Sequence, residues 1–226
     1  MKITYLGQNS IWIETEFHKI LFDPFITSNQ LAAHIRLKDF IPDYIILTHA
    51  HGDHIADVEK LASMGSVQLI SNAEIAGYYA NKGIESTGMN TGGSAEFPFG
   101  RLSCVVAHHS SSFPDGSYGG NPNGYILRSG GVSVYVAGDT SLTYDMKLIP
   151  ELFGKINLAV FPIGDHFTMD AKVAAKAAEF VQCDKVLGCH YDTFPPIKID
   201  PVKARTEFRN VGKELVLLGI GESMNL

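Results

Sequence analysis

Cysteine is scarce in this chain of 226 residues: there are three, Cys104, Cys183 and Cys189, with no Cys-x-x-Cys pair among them. An odd, dispersed set of thiols argues against a disulfide framework and suits three small buried residues in a reducing compartment. Positive charge is also short. Lys and Arg number 18 against 24 Asp and Glu, for a formal net charge of −6, so the chain has no electrostatic footprint for non-specific binding of nucleic acid. Apolar runs long enough to span a bilayer are missing. The opening Met1-Lys2-Ile3-Thr4-Tyr5-Leu6-Gly7 enters a strand pattern at once, without a cationic and apolar leader. These absences lead to the expectation of a cytoplasmic protein that works on neither membrane nor nucleic acid, and they leave a homo-oligomer open. A hydrophobic content of 45% over this length suits one large core, so residues 1–226 read as a single domain.

What is present is concentrated in one place. Residues 44–54 read Tyr-Ile-Ile-Leu-Thr-His-Ala-His-Gly-Asp-His, an apolar run that ends in His49, His51, Asp53 and His54. Imidazole nitrogens and carboxylate oxygens are donors that borderline divalent cations prefer, whereas structural zinc sites more often recruit thiolates. A cysteine-free cluster of this density points to a catalytic metal site with an open position. The alternative is a polar turn with accidentally grouped histidines, and one short turn seldom collects so many ligand-competent groups.

Hydrophobic periodicity places the motif. Residues 2–6, 11–15 and 19–23 read as an opening strand meander, with Gly7-Gln8-Asn9 as a turn, and the run Tyr44–Thr48 follows as another strand. Ile55, Val58, Leu61 and Ala62 then recur at helical spacing, with Gly65 positioned as a C-terminal cap. A strand is expected over 67–70, a helix over 73–82 and a strand over 102–107. The Ser/Gly/Pro/Asn-rich stretch 110–124 has no period and exceeds most connections in compact domains, which favours a functional loop. Beyond it come a hairpin over 125–128 and 132–137, helices over 145–153, 170–183 and 201–211, and strands over 158–163, 185–189 and 214–218. Both halves, about 1–124 and 125–226, open with antiparallel-type strands and pass into strand–helix alternation. This suggests two similar α/β halves packed sheet to sheet with helices outside.

His109, Asp139 and His190 each lie just past an apolar strand. Ligands in α/β sheets bind in the crevice outside the carboxyl ends of strands, so separate strand ends carrying His or Asp can converge on one cleft. Singly, each has a plainer reading: Asp139 as a turn or capping residue, His190 as a hydrogen-bonded core histidine. His108 and His109 are adjacent, and strand alternation lets only one of them face a cleft; the residues alone do not choose between them. His18 and His34 read as surface residues. His166, beside Asp165, reads either as a catalytic or substrate-binding group or as a plain loop histidine.

The motif His49-x-His51-x-Asp53-His54 resembles the signature of the metallo-β-lactamase superfamily. Within it the chain is similar to small bacterial metal-dependent hydrolases grouped with ascorbate-6-phosphate lactonase-like proteins. That likeness is carried by Phe22-Asp23-Pro24-Phe25, His109-Ser110-Ser111-Ser112, Ala137-Gly138-Asp139-Thr140, Gly164-Asp165-His166-Phe167-Thr168-Met169 and His190-Tyr191-Asp192-Thr193-Phe194-Pro195. The resemblance implies an α/β fold, a four-layered αββα sandwich, with two divalent metal ions in the cleft between the halves. It implies that His49, His51 and His109 hold the first metal, that Asp53, His54 and His190 hold the second, and that Asp139 bridges them. It selects His109 over His108, which then reads as a packed or supporting histidine.

The chemistry expected of such a set is hydrolytic. Two cations about 3.5–4 Å apart acidify a bridging water toward neutrality, so no side-chain nucleophile is needed. Asp53 is expected to orient the hydroxide while binding metal. Tyr191, Thr193 and Phe194 are expected to shape the substrate pocket. Asp23 reads as a partner that fixes a ligand imidazole through its other N–H, or as a turn-initiating Asp-Pro. Zinc leads as the metal, with manganese, iron and nickel also compatible with His/Asp donors. A hydrolase of a small ester, lactone or phosphoester is favoured over a nuclease or RNA-processing enzyme, which would call for a basic groove, and over a non-enzymatic metal-binding scaffold, for which a missing ligand would have argued.

Overall fold

The computed structural model describes residues 1–226. Two seven-stranded sheets pack face to face. The first contains β1 (Lys2–Tyr5), β2 (Ile11–Glu14), β3 (Lys19–Phe22), β4 (Tyr44–Ile46), β5 (Gln68–Ser71), β6 (Ser86–Gly88) and, returning from the C-terminus to pair with β1, β14 (Ser223–Asn225). The second contains β7 (Ser94–Phe97), β8 (Gly100–Val106), β9 (Asn123–Ser129), β10 (Val132–Val136), β11 (Leu158–Pro162), β12 (Lys185–Cys189) and β13 (Glu214–Val216). Pairing is antiparallel from β14 through β3 and parallel from β3 to β6. The second sheet repeats this: antiparallel from β7 to β10, parallel from β10 to β13.

Alternation along the strands explains the layers. Ile3, Tyr5, Ile11, Ile13, Ile20, Phe22 and Ile46 of one sheet meet Leu102, Cys104, Tyr125, Leu127, Val134, Val136 and Val160 of the other in a core between the sheets. The intervening residues Trp12, Leu21, Ile45 and Leu69 face outward under α2 (Val58–Ala62) and α3 (Ala73–Ala80). On the other side, Tyr135, Ala159, Phe161 and Val186 face α4 (Leu148–Phe153), α5 (Ala171–Phe180) and α6 (Pro201–Asn210). Strands buried on both faces read as nearly continuous apolar runs, and each fully buried Ile, Leu or Phe contributes about 1.5–3 kcal/mol. The expected αββα sandwich is the fold observed.

Three details depart from the sequence reading. The sheets divide between Gly88 and Ser94, not near residue 124, because β7 and β8 pair with β9. Their alternation is weak, Ser94–Phe97 being largely solvent-facing, so they carry little periodic signal. Second, the helix expected across 55–62 is split into α1 (Gly52–Ile55) and α2 at Asp57. The buried Asp57 carboxylate turns to accept from the N–H groups of Ile26 at 2.6 Å and Thr27 at 2.9 Å, and from the Thr27 hydroxyl. Third, Gly65 does not cap that helix. Ser63 does, and Gly65 instead packs where a Cβ would meet Ile41 at 2.9 Å.

The long stretch after β8 is tied to the first sheet's helix layer by Asn72. Asn72 caps α3 by accepting from Ile75 N–H at 2.9 Å, while its amide donates to the carbonyls of Gly119 at 2.7 Å and Asn121 at 3.0 Å. Removing a buried side chain that makes three hydrogen bonds leaves the Asn121 carbonyl and a helix N–H without these partners, and the Gly119 carbonyl with the Ser111 hydroxyl alone at 2.8 Å. Asn72→Ala should therefore lower the unfolding free energy by about 2–4 kcal/mol, and Asn72→Ser, which restores only the cap, should recover about 1 kcal/mol of it. Chemical denaturation checks this; a loss under about 0.5 kcal/mol would show that the loop is held by other contacts.

Candidate metal centre

The topology brings six strand C-termini to one end of the sandwich: β1 and β3 run parallel, as do β8 and β10, and β4 and β12 continue in the same sense. Each delivers a polar group. β1 leads to Gln8 and Asn9, β3 to Asp23, β4 to His49 and His51, β8 to His109, β10 to Asp139, and β12 to His190. Asp53 and His54 follow on the short helix α1, whose first residue Gly52 comes directly after His51. The ligands read from scattered strand ends thus form one cluster. A larger depression at the opposite strand ends, lined by residues such as Lys2, Glu14 and Arg128, contains none of them.

Asp139 is the centre of the arrangement. Its Oδ2 lies 3.1 Å from Nε2 of His190, 3.5 Å from Nε2 of both His54 and His109, and 4.0 Å from Nε2 of His49. Asp53 Oδ2 is 3.5 Å from His54 Nε2 and 3.7 Å from His190 Nε2. His51 completes the other side, with Nδ1 at 2.9 Å from His49 Nε2. Three groups have donor atoms close enough to share one ion: His49, His51 and His109; Asp53, His54 and His190; and, deeper, Asp23, His49 and His54.

A hydrogen-bond network behind the cluster sets which ring nitrogens face it. Asp23 Oδ2 accepts from His54 Nδ1 at 2.8 Å and from the Thr48 hydroxyl at 2.6 Å, while Oδ1 accepts from Thr48 N–H at 2.8 Å. The Thr48 oxygen in turn accepts from His49 Nδ1 at 3.0 Å. With Nδ1 committed on both rings, Nε2 of His49 and His54 point inward as lone-pair donors. Asp23 thus lies behind the cluster, bonded to His54 and Thr48.

The electrostatics follow from burial and from the lack of fixed cations. No lysine or arginine pairs with Asp23, Asp53 or Asp139; histidines are their only ion-pair partners. Burial keeps His49 well below its ordinary range and lowers His51 and His109. Burial opposes protonation of His54 and His190 too, but there the carboxylates prevail, Asp139 foremost, and both are raised. Burial would raise Asp139 and Asp53, yet the neighbouring histidines hold both below the usual carboxylate range. Asp23 is raised, since burial there outweighs His54 and Thr48.

The residues fit a metal on their own geometry. His54 Nε2 is fully buried without a hydrogen-bond partner, and its nearest oxygens at 3.5 Å are too distant to supply one. An orphaned imidazole nitrogen facing two carboxylates, with histidine and aspartate as the only donors, is a cation site rather than a hydrogen-bonded core.

Other expectations fare differently. His166 is exposed, with its ring against Phe167 at 4.5 Å, and no hydrogen bond or ion pair joins it to the cluster. Tyr191 turns away from the cleft and stacks on Tyr5 at 6.1 Å, because His190 and Asp192 both adopt left-handed φ and break strand alternation. The Thr193 hydroxyl is directed to Tyr191 O at 3.4 Å, so of the three pocket residues only Phe194 lines the cleft. His108 is exposed rather than packed, since its backbone is drawn aside to Thr140 and Ser141. His34 lies at the surface as expected; His18 is half-buried against Tyr44.

Sequence reasoning missed Gln8 and Asn9. The turn after β1 is buried, and its amides reach the ligands: Gln8 Nε2 donates to Asp53 Oδ2 at 2.9 Å and Asn9 Nδ2 to Asp139 Oδ1 at 2.7 Å. Asn9 thus occupies one Asp139 oxygen and leaves the other to the four imidazoles. Gly-Gln-Asn is ordinary turn chemistry, and only its burial betrays a second role.

A domed cleft of this kind, at the strand ends of an αββα sandwich with a His/Asp donor set, defines a class of metal-dependent hydrolases. Comparisons agree. A family model described as a beta-lactamase superfamily domain matches residues 18–191. A metal-dependent hydrolase of Flavobacterium johnsoniae is 52% identical with all of both chains covered, and one of Thermus thermophilus is 43% identical over 100% of this chain and 99% of its own. A solved metallo hydrolase from the archaeon Ignicoccus hospitalis, 34% identical, superposes with a TM-score of 0.89 over 99% of this chain and 97% of its own. The chain belongs to the metallo-β-lactamase superfamily, among its metal-dependent hydrolases.

Supporting groups of this type typically change metal affinity about 10- to 100-fold. Asp23→Asn and Asn9→Ala should each weaken metal binding by that factor with an unchanged far-UV spectrum, measured by competition with a chromophoric chelator. Wild-type affinity in both variants would remove Asp23 and Asn9 from any supporting role.

Proposed function

We propose that this hydrolase acts on a small ester, lactone or phosphoester and holds two divalent ions, zinc first among them. The observation that carries this reading is Asp139 Oδ2, a buried carboxylate oxygen ringed by Nε2 of His49, His54, His109 and His190 with no lysine or arginine paired to it. His49, His51 and His109 would hold one ion, Asp53, His54 and His190 the other, and Asp139 both. Bound there, the ions supply a water acidified toward neutral pH and a Lewis-acidic face for the scissile oxygen.

The chain's own residues supply position. Gln8 fixes the Asp53 carboxylate from behind, so Asp53 can orient the attacking water by accepting one of its protons in a hydrogen bond. The side chains do not offer a competing nucleophile. Burial pushes the Cys104 thiol up to about 12 and raises Cys189 well above its ordinary range, so neither provides a thiolate. Ser110 is 3.4 Å from His51 Nε2, but a ring committed to the metal cluster cannot also serve it as a base.

Activity should accordingly disappear with a chelator, return on adding zinc or manganese, and survive single replacement of Ser110, Ser111 or Ser112. Asp139→Ala should lower kcat by at least about a thousandfold, since an interaction shared by both ion positions is lost at once. The assay panel comprises lactones, carboxyl esters, phosphodiesters and structured RNA, with elemental analysis of both proteins. Metal-dependent cleavage of RNA alone would transfer the chain to the nuclease reading, and a fully loaded protein that turns over none of the four classes would overturn the ester, lactone and phosphoester reading and leave a scaffold in play.

A further inference from the structure

Beyond the ligands, the cleft over the cluster is walled by Ser110, Phe167, Phe194 and Pro196, and its volume is ≈ 490 Å³, within the range of small-molecule sites. No lysine or arginine lines it. A phosphate or carboxylate on the arm of a substrate would lie against two phenyl rings and a proline ring, with one serine hydroxyl to replace its hydration. Anion sites are ordinarily built from guanidinium, ammonium or clustered backbone N–H donors, and an uncompensated buried charge is strongly disfavoured. An apolar arm gains from the same walls.

The two aromatic lips are built, not incidental. Phe167 is 51% exposed at the edge of a polar cluster, where a large ring gains nothing from solvent. It is held there by a turn in which two consecutive non-glycine residues, Asp165 and His166, adopt left-handed φ of 63° and 51°. Asp165 N–H donates to Met169 O at 3.0 Å and Thr168 N–H to Asp165 O at 3.2 Å, which close the turn. Backbone strain of this kind persists only where its surroundings enforce it, and it concentrates at ligand sites. Phe194 leans on Phe25 at 6.3 Å on the neighbouring loop. The loops touch: a Cβ on Gly164 would fall 2.1 Å from His190 O, so both lips are registered to the same ligand-bearing strand end.

Resting on the hydrolase reading above, we propose that the substrate is a neutral carboxylic ester or lactone with an apolar arm, and that Phe167 and Phe194 hold that arm. Its hydrolysis joins the water oxygen to the acyl carbon and breaks the acyl–oxygen bond; one proton of the water goes to the departing alcohol and the other to the carboxylic acid. Phosphorylated and carboxylated substrates are selected against by the walls, whatever the ions at the base of the cleft could do to them.

The test uses zinc-loaded protein and esters that share one scissile bond: p-nitrophenyl acetate, p-nitrophenyl hexanoate and p-nitrophenyl 6-sulfohexanoate, whose terminal sulfonate is charged but a poor metal ligand. The hexanoate should exceed the sulfohexanoate in kcat/KM by at least about tenfold, corresponding to the burial of one apolar arm. In Phe167→Ala and Phe194→Leu combined, the hexanoate-to-acetate ratio should fall about tenfold with metal content unchanged. Binding of N-methylhexanamide and its 6-sulfo analogue, followed by ligand-observed NMR, supplies a readout without turnover and should show the same preference. Equal or better use of the sulfonate, or ratios that the Phe variants do not move, would overturn the proposal. If no ester turns over, the carboxylic ester and lactone part of the reading above fails while a phosphoester hydrolase stands, and amide binding alone then decides whether the cleft prefers an uncharged arm.

Discussion

The buried carboxylate of Asp23 is the interaction on which the centre depends. It lies under the cluster rather than in it, and both its oxygens are committed: one to Thr48 N–H, the other to the Thr48 hydroxyl and His54 Nδ1. Through Thr48 it also sets His49. A single acidic group thus fixes the tautomers of two imidazoles that come from different elements, one after β4 and one on α1. Neutral imidazole has two arrangements of its proton, and only one leaves Nε2 free to bind a cation. Backbone geometry at this spot is correspondingly special, since Asp23 has a left-handed φ of 43°, a conformation that directs its side chain back beneath Thr48.

Close approach of the strand ends is the second requirement, and glycine provides it at two points. A Cβ on Gly138 would lie 2.7 Å from the Thr48 side chain, and one on Gly164 would collide with His190 O. Gly138 precedes Asp139, so its lack of a side chain lets the loop of one sheet lie against the strand end of the other. Each sheet thereby contributes part of the donor set: His49, His51, Asp53 and His54 come from the first, His109, Asp139 and His190 from the second. The sheets are pseudo-equivalent in pairing pattern but not in cargo, and the centre exists only where they meet.

The His/Asp cluster was legible because its residues are chemically rare and locally dense. His49, His51, Asp53 and His54 stand within six positions, and His109, Asp139 and His190 each follow a strong apolar strand. The sandwich was legible for the same reason, since β1 to β4 and β9 to β12 are nearly unbroken apolar runs. Short polar edge strands were not: β6, β7 and β14 have three or four residues each and weak burial, so pairing with a neighbour, not propensity, determines them. Gln8 and Asn9 escaped because a turn's composition does not reveal that it is buried. Tyr191 and His108 were misplaced because alternation was extended past the strand ends, where left-handed residues and hydrogen bonds from other loops take over.

Charge links these observations. Asp23, Asp53 and Asp139 are partly or wholly buried without a lysine or arginine partner, and proteins rarely leave buried carboxylates so placed. Pairing each with a fixed cation would have been the simpler way to stabilise the fold, and it would have filled the cleft with guanidinium or ammonium groups. The chain instead surrounds the carboxylates with imidazoles, whose positive charge is optional. When the imidazoles at His54 and His190 carry protons, the anions are balanced; when they do not, the balance must come from a cation held between them. The arrangement that leaves the cluster short of positive charge is therefore the same one that makes it a metal centre, and it keeps fixed cations out of the cleft above.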